Sequence, residues 1–186
     1  MTATLLTPPA VEPLTLAEAR AWLRVDGTDE DGLIANLIVA AREAVEQATG
    51  RKLIAQGWRF ALDGWPDNGC IPVPVGPVMA IDAVRVDTGG ATPAVLALTG
   101  FRLDGVRHPP MIGVETLPPV PAVRRGGITI DVTCGYGASA GDVPEMLRQA
   151  MRLLIARWFE NRGDTPVAAV PEDIAALLAG YRSPRL

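Results

Sequence analysis

Ile128-Thr129-Ile130-Asp131-Val132-Thr133-Cys134-Gly135-Tyr136-Gly137, followed shortly by Val143-Pro144-Glu145, contains the change of periodicity on which the fold turns. Up to Thr133, apolar and polar residues alternate, as they do in a strand with one buried face. Beyond Pro144, the apolar residues Leu147, Met151, Leu154, Ile155 and Trp158 recur at helical spacing. Pro144 behind Asp142 suits the first position of that helix, because its missing N–H would have no intrahelical partner there. Arg148, Arg152 and Arg162 fall mostly on another face, and Gly163 ends the run. A strand therefore hands over to a helix across the glycines 135–141.

Upstream of this junction the chain keeps to strand patterning. Trp58, Phe60 and Leu62 alternate with Arg59, Ala61 and Asp63. Pro66-Asp67-Asn68-Gly69 and Gly89-Gly90 are turn signals, and Val78 to Val86 reads as a second strand. Leu96 to Leu103 and Met111 to Glu115 are weaker strand candidates. Pro118-Pro119-Val120-Pro121 cannot donate to an interior ladder, so it is a loop or an edge. Turns this short imply antiparallel pairing. Most of the 19 glycines and 17 prolines in the 186 residues punctuate this middle region.

Further out, helical periodicity returns on both sides. Thr15 and Glu18 form a capping box, which opens a first helix with Ala19, Trp22 and Leu23 on its apolar face, stopping near Asp26-Gly27. A second helix starts around Thr28 to Glu30. Its acidic first turn, Asp29, Glu30 and Asp31, favours the positive end of the helix dipole. Leu33, Ile34, Leu37, Ile38, Ala41, Val45 and Ala48 follow at helical spacing, with Gly50 as the cap. Near the C-terminus, Pro171 opens a short helix carrying Ile174, Leu177, Leu178 and Tyr181. The predicted fold is α+β: a small helical bundle, with two N-terminal and one or two C-terminal helices, and an inserted antiparallel β-rich region. The expected layout is an extended arm over 1–13, a helical core over 14–56 and 138–163, a β-rich insertion over 57–137, and a docking helix and tail over 164–186.

Composition narrows the function. Hydrophobic residues make up 48% of the chain, enough for a packed core. A net charge of −4 argues against a protein that coats DNA through broad positive charge. No stretch approaches the ~20 apolar residues of a membrane span, and the N-terminus lacks the charged and apolar regions of a signal peptide. The protein is expected to be cytoplasmic where it is made. Cys70 and Cys134 form no CxxC and are expected to be reduced core thiols.

Catalytic chemistry finds little to stand on. Gly135 to Gly141 follows a strand and precedes a helix, where a glycine loop can hold a phosphate, but its third glycine is one residue late for a dinucleotide fingerprint. No Lys-Ser or Lys-Thr follows, and no later strand completes a βαβ unit. His108 is the single histidine and sits beside Pro109-Pro110, without an orienting partner or nucleophile in motif context. No ligand spacing suggests a metal, and no cofactor is expected. Arg124-Arg125, Arg182 and Arg185 are small basic clusters, suited to phosphate, to solvent or to a protein partner. The short C-terminal helix is too short to stand alone in water, so its apolar face must dock, on its own domain or in a groove of another protein.

The ordered set of these segments resembles tailed-phage head–tail connector (adaptor) proteins, which also occur in bacterial gene transfer agents. The resemblance is carried by Leu14-Thr15-Leu16-Ala17-Glu18-Ala19, Trp22-Leu23-Arg24-Val25, Asp29 to Leu33 and the helix ending Thr49-Gly50-Arg51. It continues in Thr133-Cys134-Gly135-Tyr136-Gly137, then Val143-Pro144-Glu145 and the helix ending Phe159-Glu160-Asn161-Arg162-Gly163. It implies a non-enzymatic ring, expected to be dodecameric, docked beneath the portal protein of a capsid. Double-stranded DNA would pass through the lumen, and a tail-completion or stopper protein would attach below. It also implies that the C-terminal segment engages the portal, which makes Ile174, Leu177, Leu178, Tyr181, Arg182, Ser183, Pro184, Arg185 and Leu186 the candidate portal-binding residues. An acidic ring fits a channel through which DNA slides without sticking. The alternatives from the residues themselves are a nucleic-acid-binding module using the arginine clusters and a nucleotide-using enzyme with a glycine loop at 135–141.

Overall fold

The computed structural model describes residues 2–105, 107, 109–161 and 170–182. Its chain divides into two compact units, one from Met1–Pro9 with Ala55–Gly135 and the other from Ala10–Ile54 with Tyr136–Leu186.

The first unit is built of antiparallel strands. β1 (Thr2–Thr7), β2 (Gln56–Leu62), β4 (Val78–Val86), β5 (Ala94–Val95) and β8 (Ile128–Cys134) form a five-stranded sheet in the order β1-β2-β8-β4-β5. β3 (Cys70–Pro72), β6 (Phe101–Asp104) and β7 (Met111–Val114) form a second sheet in the order β3-β7-β6. The alternation expected over Ile128 to Thr133 is present in β8. Ile128, Ile130, Val132 and Cys134 are fully buried beside Phe60, Val84 and Val86, and Ile71 and Ile112 of the smaller sheet join the same core. Thr129, Asp131 and Thr133 take the alternate positions in this strand, as its period of two requires.

Three details differ from the sequence reading. Residues 1–13, expected as an arm, contribute β1, whose Thr2 to Leu5 pair with Ala61 to Trp58. The run Leu96 to Leu103 is not one strand. β5 ends at Val95, a 3-10 turn covers Leu98–Gly100, and β6 begins at Phe101. The break has a topological cause, since β5 belongs to the larger sheet and β6 to the smaller. β3 has three residues, too few for alternation to show.

The second unit is helical. α1 (Leu16–Leu23) has the Thr15–Glu18 capping box in place. The Thr15 hydroxyl accepts from the Glu18 N–H at 3.2 Å, and the Glu18 carboxylate accepts from the Thr15 N–H at 2.8 Å. It ends earlier than expected, at Arg24, which adopts a left-handed conformation (φ 55°). α2 (Asp31–Thr49) ends at Gly50, whose φ of 72° suits a residue without a Cβ. α3 (Glu145–Glu160) and α4 (Glu172–Leu178) follow, with Pro144 and Pro171 as their caps rather than their first helical residues. The core joins Leu14, Ile34, Ile38, Ala41 and Val45 to Leu147, Met151, Leu154 and Ile155. Around its rim, Arg148 donates to the Pro13 carbonyl at 3.0 Å and to carboxylates of Glu18 at 2.5 Å and Glu145 at 2.9 Å, so one side chain ties α3 to the start of α1.

Candidate functional site

α4 opens at Pro171, whose carbonyl accepts from the Ala175 N–H at 2.7 Å, with Glu172 and Asp173 in its first turn as the helix dipole favours. It continues into a 3-10 turn, Ala179–Tyr181, and the chain then becomes extended at Arg182. Its apolar spacing is resolved into two sides. Ile174 (2% exposed) and Leu178 (0%) lie in the helical core, packed with α2 and α3. Leu177 and Tyr181 are half-buried, and Arg182 is exposed. Each fully buried aliphatic side chain is worth ~1.5–3 kcal/mol, so peeling α4 away for a partner would cost roughly twice that. A partner meeting α4 in place therefore reaches Leu177, Tyr181 and Arg182, but not Ile174 or Leu178. Ser183, Pro184, Arg185 and Leu186 lie outside the described residues, as do His108, Arg162 and Gly163.

Arg51, which sequence reasoning did not single out for this end of the chain, meets the last turn. Its Nε donates to the Tyr181 carbonyl at 2.7 Å, and its Nη1 donates to the Tyr136 hydroxyl at 3.3 Å. Its guanidinium carbon stands 5.9 Å from the centre of the Tyr181 ring. Burial pushes the Tyr136 phenol above its ordinary pKa, with Arg51 acting against that shift.

The segment of the glycine loop within the helical unit is closed upon itself. One Asp142 carboxylate oxygen accepts from the Ser139 N–H at 2.9 Å and from the Ser139 hydroxyl at 2.8 Å. The backbone N–H of Ser139, and then its hydroxyl, hold the Asp142 carboxyl below the usual range. A Cβ on Gly137 would collide with that same carboxylate. Ser139's donors already serve a carboxylate, which repels the phosphate that a nucleotide would bring. The enzyme alternative is not favoured.

The β-rich unit has its own polar centre. Asp131 is 7% exposed and accepts from Arg59 at 2.6 and 2.8 Å and from Arg85 at 2.6 Å. The hydrogen bonds from Arg59 hold its carboxyl below the ordinary value, with Arg85 adding to them and burial opposing. Only an aspartate at an outward strand position hinted at this cluster in the sequence. Arg124 and Arg125 are exposed in the connection between β7 and β8. The same connection exposes Leu117 at 97% and Val120 at 82%, while the Trp65 indole N–H fastens it at the Pro119 carbonyl, 2.9 Å away. Cys134 is buried and Cys70 half-buried, and neither is in a disulfide. Among the described residues, no group of three His, Cys, Asp or Glu side chains is placed to hold a metal ion, and no helix is long and apolar enough to cross a membrane.

Comparison with known proteins gives a consistent picture. A family model described as "Phage gp6-like head-tail connector protein" matches residues 13–88. No curated protein matches the chain. Among solved structures, the chain is similar to a component of the neck of an empty gene transfer agent particle computed with C6 symmetry. The identity is 33% and the TM-score 0.83, covering 100% of this chain and 97% of that one. A chain in the virion of the native particle matches with the same identity, coverage and TM-score. One in the native neck computed with C12 symmetry matches with 33% identity, the same coverage and a TM-score of 0.80.

Proposed function

We propose, from the premise that this chain belongs to the phage gp6-like head–tail connector family, that it is one subunit of a dodecameric adaptor ring joining capsid to tail. Its role as a structural adaptor of a phage-like particle follows from the match to a neck component over the whole chain, which is the observation that carries the reading. The finer assignments are ours. The ring sits beneath the portal protein, with a tail-completion or stopper protein below it and double-stranded DNA passing through its lumen. It assembles in the cytoplasm and is then retained at the head–tail interface.

Several features support this reading. A ring subunit needs adhesive faces rather than a pocket, and Leu117 and Val120 are apolar side chains held out to solvent on an anchored loop. The C6 and C12 symmetries of the similar assemblies fit a head-to-tail interface, which closes into a ring when the rotation closes. A net charge of −4 suits a wall that DNA passes without adhering. We assign portal contact to the chain from Leu177 onward, comprising Leu177, Tyr181, Arg182, Ser183, Pro184, Arg185 and Leu186.

The test is co-sedimentation with the portal ring from the same gene cluster, using the full chain and a version that carries Leu177→Ala and is truncated after Leu178, which keeps the buried Ile174 and Leu178 in the core. Binding by the full chain alone supports both the adaptor role and the C-terminal contact. Binding by both keeps the role and removes the contact residues. Failure of both removes the portal as partner.

A further inference from the structure

The 3-10 turn that follows α4, Ala179–Tyr181, is held by one arginine. α2 ends at Gly50, where the left-handed turn redirects the backbone. The next residue, Arg51, donates its N–H to the Thr49 hydroxyl at 3.2 Å, and that hydroxyl donates to the Val45 carbonyl at 2.8 Å. The backbone of Arg51 is thus tied to the last turn of α2. From this base its side chain reaches Tyr181, 130 residues further along the chain, and Tyr136, 85 residues further along.

The contact falls where the helix runs out of partners. Carbonyls in a final helical turn have no intrahelical N–H to accept from, and cations are favoured at that end. Arg51 Nε supplies the missing donor to the Tyr181 carbonyl, while the guanidinium faces the Tyr181 ring. Fixing that carbonyl fixes the peptide plane joining Tyr181 to Arg182. A planar guanidinium can bond a carbonyl and a phenol at once, whereas the compact ammonium of a lysine cannot reproduce that fork.

Arg51 is not what holds α4 in place. Ile174 and Leu178 do that through complete burial, one to two turns before Tyr181. Loss of Arg51 therefore frees the last turn and leaves the helix seated. We propose that Arg51 is a positioning residue for portal docking: it holds the last turn so that Tyr181 and Arg182 are presented in one orientation. The inference rests on the assignment of that segment to portal contact.

The experiment has two arms on the full-length chain. Binding to the portal ring is measured by co-sedimentation for the unaltered chain and for Arg51→Ala, Arg51→Lys and Tyr181→Phe. In parallel, a fluorophore on Arg182→Cys, in a Cys70→Ser background, reports the mobility of the last turn by anisotropy. If the productive orientation falls to about a tenth of the population, apparent affinity falls about tenfold. Arg51→Ala is expected to lose at least that much affinity and to lower the anisotropy, with hydrogen exchange over α4 unchanged. Arg51→Lys should fall between. Tyr181→Phe keeps both the carbonyl and the ring that meet Arg51, so its anisotropy should match that of the unaltered chain, whatever the hydroxyl contributes to portal contact. Unchanged affinity and anisotropy in Arg51→Ala would overturn the inference, as would loss of protection across α4, which would make Arg51 a fold-holding residue. If the unaltered chain itself fails to sediment with the portal ring, the docking assignment falls and takes the inference with it. If it binds and Arg51→Ala binds equally, the inference alone falls.

Discussion

Arg59 stands directly opposite Asp131 in the β2–β8 register and grips it with two parallel hydrogen bonds, Nε to Oδ1 at 2.6 Å and Nη2 to Oδ2 at 2.8 Å. Arg85 reaches the same carboxylate from the strand on the other side. The central strand of the larger sheet is thereby clamped to both neighbours at one residue. Asp131→Asn is expected to cost about 1–2 kcal/mol, since both arginines reach solvent and regain water on release. The pH dependence has a definite sign. The folded-state pKa lies below the ordinary 3.8, so the stabilisation is complete above 3.8 and is lost as pH falls through the depressed value. Urea unfolding at pH 6 and pH 3 checks this: the unaltered protein should lose more stability on acidification than Asp131→Asn does.

The two sides of α4 should separate in a mutational series. Ile174→Ala and Leu178→Ala each remove a fully buried side chain and are expected to cost about 2–5 kcal/mol in denaturant unfolding. Leu177→Ala, at a half-buried position, should cost under about 1.5 kcal/mol and act chiefly on portal sedimentation. Equal destabilisation by all three would show that α4 packs differently.

Gly137 and Asp142 give a third test. A methyl group at Gly137 meets the Asp142 carboxylate, so Gly137→Ala is expected to destabilise by about 1–3 kcal/mol. Gly137→Ala combined with Asp142→Gly removes both the carboxylate and the Cβ that the new methyl meets and should recover part of that loss, read as a non-additive double-mutant cycle. Calorimetric titration of the unaltered protein with ATP or NAD should release no heat.

How much of this was legible depended on whether a signal was local. The Thr15–Glu18 box lies within one helical turn, and the alternation of Ile128 to Thr133 within one strand, so both could be read directly. β1 could not, because its pairing partners Trp58 to Ala61 come more than fifty residues later. The break between β5 and β6 follows from which sheet each joins, a tertiary fact that overrides the apolar run. At the C-terminal site the spacing of Ile174, Leu177, Leu178 and Tyr181 revealed an apolar face, but periodicity does not say what covers it. The structure covers Ile174 and Leu178 with the helical core. Arg51 looked like an ordinary residue after a helix cap, since every side-chain contact that gives it meaning is distant in sequence.

The interleaving of the two units constrains how the protein is made. β1 precedes both N-terminal helices yet pairs with β2, which follows them, and α2 must wait for α3 until the whole β-rich segment has been synthesised. On the ribosome, neither unit has all its parts until most of the chain has emerged. Such non-local closure slows folding and leaves apolar surface waiting for its partner. The segments of α1 and α2 therefore emerge with their apolar faces uncovered, which makes the interval before α3 appears the step at which chaperone binding would most improve the yield of assembly-competent subunits.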